Sequence, residues 1–551
     1  MVFGVRGRFF AAVLAGWLGG VCFSAGAETA GLTAPPDLSG NEVRRAREIL
    51  AAEEEKEPRL FIREFRISGN SVLPQEVVQK TVYRFLGPGR EYADVDRARA
   101  ALEQAYREEG YQTVSVQVPA QQGKRGIIYL EVTEGRVAKL RVKGSRYFDL
   151  EAIKEEAPSM REGNVPDFDE VIEDIIALNQ HPDRSVSPDL VPGAVPGTVE
   201  IALEVEDSLP LDASAELNNR HSPGTSELRL NGAASYSNLW QEGHTIGGAV
   251  QTSPQDWDDV FVYSGYYMAP VPAVDDLSLM LQYLNQNSDV STLGGSTVVG
   301  SGEIWGLRGI LVLPRLEGFY HTLTAGMDYR RFNQQFEVDG EADETPISYY
   351  PVSALYSAFW FGETGITELS GTLTYGVRGL GSDPAEFDAN RYRSDGSFLV
   401  FRGELARTQE LPLDFQIRGR AEGQFTGTPL ISNEQFAAGG MNTVRGYLEA
   451  ESLGDRAILG SLELSSPDFL SGSSEGNDGR AYVFLEGAFL TLLDALPEQQ
   501  DEFELASFGF GSRFRFLTRF SGEVNLGFPL IDLGETQAWD PRVSFEFRGR
   551  L

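Results

Sequence analysis

One arginine, Arg445, lies in the segment AAGGMNTVRGYLEA, residues 437–450, shortly after a double glycine. A guanidinium keeps its charge and carries five N–H donors, so a site shielded from water must offer it a carboxylate. A carboxylate accepts two parallel bonds from this planar group, a geometry that lysine cannot supply. The segment therefore predicts a buried ion pair. The motif consists of Val444, Arg445, Gly446 and Tyr447.

Two acids are candidate partners for this arginine. Glu486 is the only acid within AYVFLEGAFL, residues 481–490, and Glu463 in GSLELSSP is the alternative. Both segments have the alternating pattern of β-strands, so a carboxylate on the inner face of either strand would satisfy a guanidinium that reaches it.

The glycines of the segment predict how the arginine reaches a strand. Gly439 and Gly440 permit a sharp chain reversal, and Gly446 lets the loop tip approach other backbone closely. Residues 429–455 are therefore predicted to form a long loop between two strands, with Gly439 and Gly440 as its hinge.

Other reactive groups are sparse or scattered. The only cysteine, Cys22, lies near the N-terminus, and the four histidines lack the spacing of metal ligands. A phosphate-binding G-x-x-x-x-G-K motif is absent from the sequence. The formal net charge of −34 argues against nucleic acid as a partner. We predict no metal, cofactor, nucleotide or nucleic acid, and no enzymatic activity, although 81 acids leave a carboxylate-pair hydrolase as one alternative.

The first 58 residues read as export and linker segments. Arg6 and Arg8 precede an apolar stretch of about 15 residues, shorter than a membrane-spanning helix needs, so residues 1–27 are predicted to be a signal peptide. An N-terminal anchor helix is the alternative. Residues 28–58 are predicted to hold a linker and a charged helix that ends at Pro58. A solvated linker helix without a role is the alternative for that segment.

Residues 59–207 contain two copies of one unit. FRISGN at 65–70 matches LRVKGS at 140–145, and each copy continues from an alternating strand into a glycine turn and helical patterns. We predict α+β domains at 59–135 and 136–207, and we expect Asp94 to cap a helix of the first domain. Duplicated small domains of this kind are typical of binding modules, and a generic α+β pair is the alternative.

Residues 208–551 read as strands separated by turns. In DFQIRGRAEGQF, residues 414–425, one face is apolar or small and the other is polar, which suits a soluble sheet or a membrane barrel. We place roughly sixteen strands of a length that spans a bilayer. The terminal VSFEFRGRL also alternates and would close on the first strand, leaving no free edge. An all-β transmembrane barrel is predicted, and a soluble β-sandwich or propeller is the alternative.

The motif GGMNTVRGY resembles the loop motif of the outer-membrane assembly and secretion superfamily, whose members carry POTRA domains before a barrel. Within it the chain is most similar to the two-partner secretion transporters, the haemolysin and filamentous haemagglutinin secretion/activation proteins. The two repeats, a helix placed like the family's plug helix, residues 178–205 and the barrel carry this resemblance. It covers essentially all of the chain after residue 27.

The resemblance implies that the loop folds into the barrel lumen, where Arg445 pairs with an acid in an aromatic–x–Asp–x–Gly motif. The matching stretch begins at Phe484 and departs twice, with Glu486 for aspartate and Ala488 for glycine. It also implies an outer-membrane location in a Gram-negative bacterium, POTRA domains in the periplasm, and export of an unfolded, β-helix-forming exoprotein. An outer-membrane assembly and insertion factor is the alternative within the superfamily, and a passive porin is a further one.

Overall fold

The computed structural model describes residues 59–551, apart from 122–123, 258, 275, 288–289, 292–297, 300, 315, 339–340 and 471–475. The predicted signal peptide of residues 1–27 and the predicted linker and helix of residues 28–58 lie outside the described residues. The described chain forms two compact units, which meet in sequence between Leu209 and Pro210.

The first unit contains two α+β repeats of one topology. The first repeat comprises β1 (Leu60–Ile62), β2 (Glu64–Ser68), α1 (Gln75–Tyr83), β3 (Gly87–Arg90), α2 (Tyr92–Glu108), β4 (Val114–Gln117) and β5 (Ile127–Glu134). The second comprises β6 (Arg136–Lys143), α3 (Leu150–Glu155), α4 (Phe168–Leu178), β7 (Arg184–Pro192) and β8 (Thr198–Asp207). The sheet orders are β2-β5-β4 and β6-β8-β7, and the first pair is parallel in both. We propose domain boundaries at residues 135 and 207.

An acid at the end of the last strand fixes the turn after the first strand in both repeats. The Glu134 carboxylate accepts hydrogen bonds from the backbone N–H groups of Ser71 (2.6 Å) and Val72 (3.0 Å). The Asp207 carboxylate accepts bonds from Arg146 N (2.8 Å) and Tyr147 N (2.8 Å) in the second repeat. The duplication therefore extends to polar contacts that the aligned letters do not reveal.

The start of α2 differs from the sequence prediction. Glu91 is the N-cap. Asp94 is the third residue of the helix, and its carboxylate accepts a bond from Glu91 N (2.9 Å), which completes a capping box. The prediction of Asp94 as the N-cap is wrong because the reciprocal box lets Glu91 take the first position. Among the described residues, no helix is long and apolar enough to cross a membrane.

The second unit is a closed antiparallel barrel, which confirms the predicted all-β fold with sixteen strands in the described chain. The barrel strands are β9 (Leu211–Asn218), β10 (Arg229–Leu239), β11 (His244–Thr252), β12 (Phe261–Pro270), β13 (Leu277–Asn287), β16 (Ser301–Val312), β17 (Phe319–Val338), β18 (Glu341–Gly362), β19 (Gly365–Gly381), β20 (Leu399–Glu410), β21 (Gln416–Thr426), β24 (Arg456–Ser465), β25 (Asp478–Thr491), β26 (Glu502–Phe516), β27 (Phe520–Pro529) and β28 (Arg542–Arg550). Its connections contain the short strands β14 (Val290–Ser291), β15 (Val298–Val299), β22 (Phe436–Ala438) and β23 (Ser452–Gly454), and helix α5 (Pro384–Asn390).

The last strand pairs with the first, as predicted from the terminal alternating sequence. β28 and β9 pair antiparallel from Glu546 opposite Asn218 to Arg550 opposite Ser214. Side chains alternate across the wall: on β24, Ile458 and Leu462 are exposed on the outer face, whereas Leu459 and Glu463 are buried on the inner face. An apolar outer surface and a polar lining suit a membrane barrel.

Two turn glycines of the second repeat, Gly144 and Gly163, yield the first prediction. Gly144 has a positive φ of 91°, and a Cβ there would overlap the carbonyl oxygen of Val205. Gly163 has a similar φ of 95° but open space around its missing Cβ. We expect Gly144→Ala to destabilise the second repeat by about 2–4 kcal/mol, against about 1 kcal/mol for Gly163→Ala.

Hydrogen exchange of amides 136–207 in the full chain measures both losses. Equal losses for the two variants would contradict the close approach of β8 to the turn at Gly144.

Candidate functional site

The connection between β21 and β24 is a long loop that doubles back on itself. Its two limbs pair through β22 and β23, from Phe436 opposite Gly454 to Ala438 opposite Ser452. Gly439 and Gly440 follow β22 with φ values of 108° and 100°, which other residues rarely adopt. The limbs are therefore held close together, and the motif around Arg445 forms the far end of the loop.

Arg445 is only 4% exposed, and the structure places it between both candidate acids. Its Nε and Nη2 atoms lie 3.0 Å and 2.6 Å from Glu486 Oε1, and its backbone N–H donates to Glu486 Oε2 over 2.7 Å. Its Nη1 atom lies 3.0 Å from Glu463 Oε2. Glu486 thus holds both the side chain and the backbone of Arg445, whereas Glu463 accepts a bond from the third guanidinium nitrogen, Nη1.

Aromatic rings complete the surroundings of the guanidinium. Its central carbon lies 3.7 Å from the ring centroid of Phe484 and 5.3 Å from that of Tyr482. A desolvated cation gains from such ring faces in addition to its ion pairs. The strand that supplies Glu486 therefore also supplies the rings, because Tyr482, Phe484 and Glu486 share one face of β25.

A second arginine shares the acids. Arg513 Nη2 lies 2.9 Å from Glu463 Oε2, and Arg513 Nε lies 2.7 Å from Glu523 Oε2. Three carboxylates and two guanidinium groups thus form one network on the inner face. Removal of Arg445 would leave Glu463 and Glu523 paired with Arg513, while Glu486 would keep only the hydroxyl of Ser461 (3.0 Å).

The rest of the motif packs against the inner wall. Val444 is buried, and the Tyr447 hydroxyl lies 2.9 Å from Ile531 O and 3.1 Å from Ala506 O. Gly446 has a φ of 96°, and a Cβ on Gly527 would lie 2.7 Å from its backbone N. Only two glycines permit this contact between the loop tip and β27.

The base of the loop has its own anchor, which the sequence did not predict. Arg330 Nη1 and the Tyr349 hydroxyl each donate to Glu434 Oε1 over 2.6 Å. Arg330 Nη2 also donates to Asp328 Oδ2 (2.9 Å), which is itself buried. These residues belong to β17 and β18, about a hundred residues away in sequence, and nothing in their local pattern indicates a shared site.

The returning limb is tied to two further connections of the barrel. Arg220 Nε donates to Glu449 Oε1 (2.9 Å), which also accepts a bond from Met441 N (3.1 Å). The Glu451 carboxylate accepts a bond from Thr536 N (2.8 Å). The loop is therefore fastened at its base, tip and returning limb by separate charged contacts.

In the described chain, no histidine side chain bonds to the network around Arg445, although the backbone carbonyl of His221 accepts a bond from Glu449 N (3.0 Å). Burial and the neighbouring Arg184 lower the pKa of His181, whose ring packs edge-on against Phe148 at 5.2 Å. His321 Nδ1 lies 3.1 Å from the Tyr356 hydroxyl, and His244 Nδ1 contacts the Tyr267 hydroxyl. Within the described residues, no group of three or more His, Cys, Asp or Glu residues is arranged to hold a metal ion.

A closed sixteen-stranded barrel with an arginine loop bonded to its inner face, preceded by α+β repeats, defines an outer-membrane translocation protein. The chain belongs to the family described as haemolysin secretion/activation protein ShlB/FhaC/HecB, whose sequence model matches residues 197–485. A POTRA domain of ShlB type matches residues 60–135. The protein is accordingly an outer-membrane transporter with its POTRA domains in the periplasm.

Comparison with individual proteins supports the same family assignment. The chain is 23% identical over 428 residues to the outer membrane transporter CdiB of Dickeya dadantii (strain 3937), which covers 74% of this chain and 72% of that protein. Its fold is similar to that of CdiB from Escherichia coli, with 18% identity, a TM-score of 0.60, and coverage of 95% and 94% of the two chains. CdiB from Acinetobacter baumannii is also similar, with 14% identity, a TM-score of 0.54, and coverage of 93% and 98%.

The unequal roles of the two acids yield the second prediction. Glu486→Gln removes the charge that holds three donors of Arg445, so we expect the amides of residues 443–448 to exchange at least about tenfold faster, because hydrogen bonds to charged groups contribute about 1.5–3 kcal/mol. Glu463→Gln should have a smaller effect, because it removes one bond from Arg445. Peptide-resolved hydrogen exchange in detergent measures both, and the reverse order would assign Glu463 as the main partner.

The anchor at the base yields the third prediction. Glu434→Gln should speed exchange in β22, while the amides around Arg445 keep their protection, because the tip has separate contacts. Tyr349→Phe removes one of the two bonds to Glu434 and serves as the milder matched variant. Equal loss of protection at the base and the tip would show that the loop opens as one unit.

Proposed function

We propose that residues 59–207 bind an unfolded exoprotein in the periplasm and that the barrel forms its conduit, with the loop around Arg445 as a movable obstruction. The exoprotein would be large and β-helix-forming, and its folding outside the cell would give the movement its direction. The observation that carries this proposal is the burial of Arg445 on the inner wall against Glu486 and Glu463. Such contacts are strong at rest and break without covalent chemistry.

The network supports release of the loop at a moderate cost. Breaking a buried ion pair by removing one partner costs about 3–5 kcal/mol, because a charge stays uncompensated. Arg513 limits that cost by remaining with Glu463 and Glu523 when Arg445 leaves. Separate anchors at Glu434 and Glu449 let the loop come away in steps, each smaller than the whole.

We further propose that the transporter works without catalysis, metal, cofactor or nucleotide, and that nucleic acid is not a partner. The acidic composition and the absence of a phosphate-binding motif in the sequence support this. Outer-membrane lipid is the second partner, because the outer face of the barrel is apolar.

The fourth prediction tests the role of the loop in export. Arg445→Ala should leave the barrel inserted and folded but reduce the amount of exoprotein in the medium several-fold, because the loop loses its resting position. The assay is co-expression with the cognate exoprotein in a host that lacks both proteins, and heat-modifiable electrophoretic mobility reports the folded barrel.

Arg418→Gln is a matched control, because Arg418 pairs with Glu368 (3.1 Å) across the wall and has no bond to the loop. Its export should match the unmodified chain. Unchanged export in Arg445→Ala would overturn the role given to the loop. Loss of other barrels from the membrane on depletion of this chain, without loss of export, would favour an insertion factor.

A further inference from the structure

Three turns at one end of the barrel have an unusual backbone. Trp240 and Gln241, Leu413 and Asp414, and Leu517 and Thr518 all have φ values between 53° and 64°. Within the described residues, these are the only consecutive pairs of non-glycine residues in the left-handed region. Tight hairpins normally place asparagine, aspartate or glycine there, because bulky side chains are strained.

The first residue of each pair is large, apolar and exposed. Trp240, Leu413 and Leu517 are 65%, 84% and 65% exposed, and Leu316 in the turn between β16 and β17 is 65% exposed. At the first position of each pair, glycine or asparagine would relieve the backbone and a polar side chain would suit the solvent. Strain retained together with exposed apolar area indicates a surrounding other than water.

All four turns lie at the periplasmic end. β9 follows directly after the POTRA repeats, so its first residue, Leu211, marks the end of the barrel that faces the periplasm. In an up-and-down barrel the connections after β10, β16, β20 and β26 all return to that end. The four apolar tips therefore share one end of the barrel, and we call them the periplasmic ring.

The periplasmic ring continues the lipid-facing surface. The Trp240 ring lies 5.5 Å from that of His244 and 6.1 Å from that of Tyr267. Beside Leu316, the Phe319 ring lies 4.5 Å from that of Trp360. Aromatic clusters at the ends of barrel strands are typical of the boundary between lipid headgroups and acyl chains.

We propose that the four turn tips are inserted at the headgroup and acyl boundary of the periplasmic leaflet and set the depth of the barrel in the outer membrane. Burial of the apolar side chains in lipid offsets the strain of the left-handed backbone at Trp240, Leu413 and Leu517. The interaction rests on the outer-membrane lipid contact proposed above and assigns it a site, but it does not depend on the exoprotein, so export can fail while this contact holds.

The sequence offers a clean test, because its single cysteine, Cys22, lies within the predicted signal peptide. Nitroxide labels on Leu413→Cys and Leu517→Cys in phosphatidylethanolamine and phosphatidylglycerol vesicles report depth through their accessibility to oxygen and to a water-soluble nickel chelate. Ile458→Cys on the outer face of β24 is the lipid control, and Glu498→Cys in an exposed connection is the water control.

We expect oxygen-to-nickel ratios at 413 and 517 several times that at 498 and below that at 458, because the headgroup and acyl boundary lies between water and the hydrocarbon. Ratios equal to that at 498 would overturn the proposal. Protection from both reagents would also overturn it, because it would indicate a protein partner on the periplasmic ring.

A triple variant distinguishes the position of the barrel in the bilayer from the stability of the turns. Trp240→Asn, Leu413→Asn and Leu517→Asn together keep residues that tolerate the left-handed region, so the barrel should fold. With the label at 458, we expect the oxygen-to-nickel ratio to change as the barrel shifts relative to the bilayer. An unchanged ratio in a folded barrel would contradict a role of the tips in setting depth.

Discussion

The need to neutralise one buried guanidinium organises the interior of this barrel. Arg445 enters a space lined by strands, where an unpaired charge would cost several kcal/mol. Glu486 meets that need from β25 and Glu463 from β24, while Phe484 covers the guanidinium face. The loop hinge at Gly439, the glycine at 446 and the alternation of β25 all serve to bring these groups together.

The interior is built to hold the loop by several moderate contacts. Its base is bonded to Arg330 and Tyr349, its tip to Glu486, and its returning limb to Arg220. Each contact joins the loop to a different part of the wall. In the proposed mechanism, these anchors release one at a time as the client enters, so that no single step carries the whole cost.

Much of the fold and part of the site could be predicted from sequence, because each depends on a local pattern. Alternation marked the barrel strands, the repeat of FRISGN and LRVKGS marked the duplication, and the last strand was expected to close the barrel. The motif indicated Arg445, and Glu486 was indicated because it is the only acid in residues 481–490. The anchor at Glu434 depends on residues from distant strands and so had no local signal. The cap of α2 is local, but residue type alone does not decide whether Glu91 or Asp94 takes the N-cap position.

The most direct test of the account is the position of the loop during export. A photo-activatable phenylalanine analogue in place of Tyr447 reports its neighbours, which at rest are the backbone of Ala506 and Ile531. An exoprotein fused to a stably folded domain would arrest in the barrel during translocation. The account predicts cross-links to residues near 506 and 531 at rest and to the exoprotein in the arrested state. Unchanged cross-links to the wall in the arrested state would contradict it.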